Sequence, residues 1–295
     1  MDLLNKIYKI FLSDFAKNRF EKTTLYLALF SFFIHLILIY LSKFDLINLS
    51  SNSELFKNPI SAIYTPFSFI LIYEVYLLIF HLPRSFTTYI TKQYEIITLI
   101  IIRKLFKDLS VLELSSDWFQ IKGDLQFTYD ILASVILFYL IYHFQKQGMQ
   151  KSTHSKNDKI KIERFIFRKK VIALTLVPIF VLMALFTFFN WVSDIYSSSN
   201  SINSFETINN LFFDDFFTAL ILVDVVLLLI SFFYTDNFEK IIRNSGFIVS
   251  TILIRMSFGV NGLISTILIL VSVFFGLAIL LIHNNYKKNI TKEIV

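Results

Sequence analysis

The 295-residue chain has no cysteine. Disulfides, thiolate metal sites and thiol catalysis are therefore excluded, and the absence fits any redox compartment. Glycine is nearly as scarce, at six residues, and none of the six belongs to a phosphate-binding loop or a nucleophile elbow. The five histidines form no His-x-x-x-His pair and no other zinc motif. Charged residues make up 17% of the chain, below the usual quarter of a soluble domain. The polar segments are too short for a catalytic domain. No cofactor and no enzymatic activity are expected.

Apolar surface is what the chain has in abundance. Hydrophobic residues are 55% of it, phenylalanine alone occurs 35 times, and mean hydropathy is +0.63. A bilayer core takes about 20 apolar residues per helix, and runs of that kind recur at 23–41, 60–82, 89–112, 125–144, 171–191, 216–234, 240–259 and 262–283. The fold class expected is an all-α polytopic membrane protein of about eight transmembrane helices. The third run is weak because it carries Arg103, Lys104 and Lys107, and the seventh is strongly apolar only from Phe247 to Val260. No cleavable signal is expected, since the first run follows a basic, Phe-rich segment without a small-residue cleavage site.

Charge placement orients these spans. With eight spans and the N-terminus inside, the inner segments hold 18 Lys and Arg and the outer segments 3. Nine of them lie in 145–170 alone, whereas 192–215 has none and carries Asp194, Glu206, Asp214 and Asp215. Cytoplasmic loops are enriched in Lys and Arg in this way. The net charge of +6 is thus a topology signal and does not point to nucleic acid. Both termini are expected in the cytoplasm. A bacterial inner membrane is the expected location, given short loops and no eukaryotic targeting signal. Trp118, Trp191, Tyr196, Tyr234 and Tyr286 fall near the proposed interfaces, where amphipathic rings prefer to lie.

The expected organisation has five parts. Residues 1–22 read as an amphipathic cytoplasmic-face helix, with Leu3, Leu4, Ile7, Ile10, Phe11 and Phe15 at helical spacing and Lys6, Lys9 and Lys17 between them. It would rest in the headgroups or dock on the protein's own helices. A first four-helix repeat covers 23–144, a basic cytoplasmic linker 145–170, a second four-helix repeat 171–283, and a short basic tail 284–295. The repeat rests on an ungapped match of 86–103 with 238–255, in which Phe86, Ile90, Ile100, Ile102 and Arg103 meet Phe238, Ile242, Ile252, Ile254 and Arg255. Glu74 precedes Arg103 by 29 residues, and Asp224 precedes Arg255 by 31. The first helices share Arg19-Phe20 and Arg164-Phe165, and the fourth end on His143 and His283. An even number of helices per half gives both halves one orientation, so they would be related by an axis along the membrane normal.

Ionisable groups inside a bilayer cost roughly 2.5–3.5 kcal/mol each and usually face protein or water. Two acid–arginine pairs are expected, Glu74 with Arg103 and Asp224 with Arg255. A secondary polar cluster comprises Lys104, Lys107, Asp130, His35 and His81, in which Asp130 would neutralise Lys104 or Lys107. An acidic residue on the second helix of a four-helix unit, with basic residues on a later one, is slightly similar to a voltage-sensor domain. The match stops there. The basic residues lie on the third helix, are spaced as RKLFK instead of at every third position, and reduce to Arg255 in the second half. Pro66 and Pro178 would kink helices two and five. Gly259, Asn261 and Gly262 suit a tight turn, and Gly276 suits close helix packing.

Two functions compete on these grounds. The first is permeation of ions or small solutes through a charge-lined helical bundle. The second is a non-conducting scaffold or accessory subunit whose charge pairs serve assembly. The expected partners are the lipid bilayer and anionic lipid headgroups at the basic linker; the sequence also allows a homo-oligomer.

Overall fold

A computed structural model describes residues 2–44, 59–111, 122–148, 156–197, 205–234, 237–260 and 262–293. Every element among them is helical. In chain order they are α1 (Asp2–Phe11), α2 (Asp14–Lys43), a 3-10 helix (Pro59–Ile63), α3 (Tyr64–His81), α4 (Phe86–Val111), α5 (Lys122–Gly148), α6 (Lys156–Ser197), α7 (Phe205–Phe232), α8 (Phe238–Phe258) and α9 (Leu263–Glu293). Seven of the described helices are long and apolar enough to cross a membrane. Many large apolar side chains on them are exposed, among them Tyr26, Phe30 and Phe33 on α2 and Val135 and Phe138 on α5. Surfaces of that kind are stable against acyl chains and not against water. The protein is a polytopic helical membrane bundle.

The element ends differ from those read in the sequence. The amphipathic segment stops at Phe11, where the chain turns, and Ser13 caps α2 by accepting a hydrogen bond from the Ala16 N–H at 3.1 Å. Residues 14–22 are therefore the first turns of the first long helix. The basic stretch 145–170 is helical at both ends, in α5 to Gly148 and in α6 from Lys156; residues 149–155 lie outside the described residues, as does Trp118. At 42 residues α6 is about 63 Å long, twice a bilayer core, so a polar section must project from the membrane. Pro66 falls in the first turn of α3, where proline removes no helical hydrogen bond, while Pro178 is inside α6.

The chain forms two compact units, each drawing on both halves of the sequence. The first unit comprises 1–80, 106–112 and 171–219. Here α2 buries one narrow stripe, Thr24, Ala28, His35 and Ile39, at spacings of four, seven and four that return to the same helical face. Tyr73 donates to Glu21 at 2.7 Å and Tyr76 to the Phe11 carbonyl at 2.8 Å, so α3 fastens the corner between α1 and α2.

The second unit comprises 81–105, 113–170 and 220–295. Its α8 and α9 form an antiparallel hairpin, with Gly246 against Ile279 and Arg243 against His283. Gly262 in the turn has φ +79°, a conformation L side chains rarely adopt. Gly262→Ala is expected to lower stability by about 1–2 kcal/mol, read as a drop in melting temperature in detergent. Helices α5 and α9 run parallel: Gln126 meets Thr266 near their starts, and Asn284 donates to the Gln147 carbonyl near their ends. Helix α4 runs antiparallel to α5, with Glu95 beside Gln145 and Lys104 beside Asp130. Although charged, α4 buries Tyr89, Ile90 and Tyr94 completely. It is not among the seven helices that are apolar enough to cross a membrane, because it carries Arg103, Lys104 and Lys107.

Candidate functional site

The candidate site follows one face of α4. At 100° per residue, Tyr89, Gln93, Ile97, Ile100 and Lys104 share a stripe about 22 Å long from first to last. Three polar layers gather along this stripe and beside it, all within the second unit.

The first layer surrounds Asp224 of α7, whose side chain is 0% exposed. Its Oδ1 accepts the Tyr89 hydroxyl at 2.9 Å. Its Oδ2 accepts Arg255 Nη2 of α8 at 3.0 Å and Gln93 Nε2 at 3.3 Å. Arg255 Nη2 also donates to Gln93 Oε1 at 3.1 Å. Asp224, Gln93 and Arg255 thus close a triangle in which both ends of the Gln93 amide are committed, so its orientation is fixed by its partners. The Arg255 side chain is only 3% exposed. A dry carboxylate is tolerable here because it receives three donors, one of them cationic.

The second layer lies beside the stripe. Ser250 of α8 donates to the Ser272 carbonyl of α9 at 2.6 Å, which uses its only proton. The Tyr94 hydroxyl, 2.7 Å from Ser250 Oγ, is therefore the donor of that bond. The phenol ends against Gly276, where a Cβ would lie 1.9 Å from Tyr94 Oη. The expected close packing at Gly276 is thus made with the phenol of α4.

The third layer joins α4, α5 and α9. Lys104 Nζ is 2.8 Å from Asp130 Oδ2. On the other side of the carboxylate, Gln126 Nε2 donates to Oδ1 at 2.9 Å, and the Thr266 hydroxyl donates to the same oxygen. The two charges are unequally buried, with the Asp130 side chain 2% exposed and that of Lys104 39%.

Glu74 is buried on α3 in the first unit. Arg103 is half-buried on α4 in the second, one residue and so about 100° away from the Lys104 stripe. His35 is hydrogen-bonded through Nδ1 to the Thr65 hydroxyl. His81 closes α3, half-buried, its carbonyl accepting the Arg84 N–H. The side chain of Lys107 lies outside the described residues. Among the described residues no group of three or more His, Cys, Asp or Glu is placed to hold a metal ion.

Sequence reasoning missed Tyr89, Gln93, Gln126 and Thr266. Tyr89 and Gln93 carried a usable signal, since two polar side chains at i and i+4 inside a weak apolar run share a face. Gln126 and Thr266 gave none; each is an ordinary polar residue near a helix start.

Fold and site together define the class: a polytopic helical membrane protein whose buried charges are joined by internal ion pairs and hydrogen bonds. No family model, curated protein or solved structure matches the chain.

Proposed function

We propose that the protein carries ions or small solutes across a bacterial inner membrane, along the polar face of α4, with both termini in the cytoplasm. The observation that carries this reading is the Asp224–Arg255–Gln93 triangle lying on the same helical stripe as the Lys104–Asp130 layer. Groups this costly to insert are retained in membranes mostly along substrate or ion paths. The triangle would be the occluded point of the path.

A tandem parallel repeat fits the same reading. Phe86 and Phe238, matched in the sequence, each open their helix, and the matched fourth helices α5 and α9 run parallel. The repeat makes Glu74 and Arg103 the first half's counterparts of Asp224 and Arg255. The proposed partners beyond the bilayer are anionic headgroups at 145–170 and a second copy of the chain.

The closure of the triangle favours the second reading, a non-conducting scaffold, because Asp224 has its three donors inside the protein. Flux separates the two. Purified protein in proteoliposomes should give solute or ion flux above empty vesicles. Gln93→Leu, which keeps the ion pair, should change its rate at least tenfold in protein that still reconstitutes folded, and Glu74→Gln and Arg103→Gln should change it too. Wild-type vesicles without flux, combined with variants that only lose stability, would leave the scaffold.

A further inference from the structure

The third layer has an asymmetry that an ion pair built only for stability does not need. Asp130 is dry and held on its Oδ1 side by two donors from protein, Gln126 and Thr266. Its Oδ2 faces Lys104, whose side chain remains 39% exposed. A lysine ammonium is a compact charge on a flexible four-carbon stem that can swing towards the interface. The carboxylate is fixed by α5 and α9. If the lysine leaves, a buried carboxylate loses its charge partner, which costs several kcal/mol unless another cation takes the position.

We propose that Asp130, held in place by Thr266 and Gln126, is a binding site for a small monovalent cation, and that the Lys104 ammonium is its tethered competitor. The proposal rests on the transport reading above and names a permeant or coupling ion for it. The ligand at the position Lys104 leaves is Asp130 Oδ2, completed by water, while Thr266 and Gln126 hold Oδ1 and keep the carboxylate in place. These are hard oxygen ligands, of the kind that suit alkali and alkaline-earth ions. Charge selects between the two classes. One buried carboxylate takes one positive charge, as Lys104 supplies now, whereas a divalent ion would leave a net positive charge in a dry site. Cation entry and lysine departure are therefore one exchange, which couples occupancy of the site to the freedom of the Lys104 side chain on α4.

The test uses the full chain in detergent or nanodiscs, with sodium replaced by choline at constant ionic strength. In the wild type, sodium should raise the labelling of Lys104 by an amine-reactive reagent severalfold, read by mass spectrometry against other lysines, and choline should not. Lys104→Gln removes the competitor. Its melting temperature should respond to sodium at concentrations at least tenfold lower than the wild type requires, and Lys104→Gln combined with Asp130→Asn should lose the response. Labelling of Lys104 that is indifferent to sodium overturns the proposal, and this readout serves if Lys104→Gln does not fold. A sodium response surviving Asp130→Asn, or an equal response to magnesium, overturns it as well. Flux independent of sodium, with the labelling response intact, would leave the site and remove its link to transport. Flux with flat labelling would do the reverse.

Discussion

Arg255→Met is expected to destabilise the protein by about 3–5 kcal/mol, the cost of leaving a buried charge without its partner. Asp224 has no exposed surface and has the Arg255 guanidinium at 3.0 Å. After the substitution it keeps the Tyr89 hydroxyl and the Gln93 amide but has no cation. Asp224→Leu strands the guanidinium in the same way. The double variant should be less damaged than either single one, because it removes both charges and leaves only neutral groups, Tyr89 and Gln93, short of partners. An unpaired neutral group costs about 1–3 kcal/mol, less than an unpaired charge. The unfolding midpoint in detergent, compared across the four proteins of this cycle, measures the coupling. Additive losses would show that the pair has no energetic meaning.

Gly276→Ala is expected to have an effect of comparable size from a single methyl group. The added Cβ would sit 1.9 Å from Tyr94 Oη, 3.0 Å from Cζ and 3.1 Å from Ser250 Oγ. The obstacle is not the loose end of a flexible chain. Tyr94 is fully buried, its ring packs edge-on against Phe144 at 5.0 Å, and its hydroxyl is bonded to Ser250. Overpacking a filled core costs about 1–3 kcal/mol, and more where neither side can yield. Tyr94→Phe should cost much less, about 0.5–1.5 kcal/mol for a lost hydrogen bond, since Ser250 keeps its bond to the Ser272 carbonyl. Tyr94→Phe in the Gly276→Ala background should then recover stability, because the atom 1.9 Å away is gone. Melting temperatures of the three variants decide the point. If Tyr94→Phe fails to rescue, the clash lies elsewhere.

How much of this was legible varies residue by residue. Apolar run length pointed to the bundle, because a bilayer imposes a minimum span and α2, α5 and α9 meet it without help. The spacing of Asp224 and Arg255 on adjacent helices brought them under suspicion, and the structure places them together. Their other two partners sit 131–135 positions from Asp224 on α4. No local pattern encodes a hydrogen bond across that separation. The charges of α4 made it look weak in the sequence for the same reason, since hydropathy counts a lysine as exposed to lipid whatever faces it. The unit boundaries were also hidden. Each compact unit takes segments from both halves of the chain, with α4, α6 and α7 divided between the two.

The sequence by itself determined that this chain is a multi-helix membrane protein, because transfer from water to hydrocarbon depends on composition over a single helix length. Only the tertiary structure decided that Gln93 bridges Asp224 and Arg255, that Lys104 reaches Asp130, and that Gly276 receives the Tyr94 phenol. Those outcomes depend on helix rotation and register. Apolar faces of similar width leave both open until the polar groups find one another.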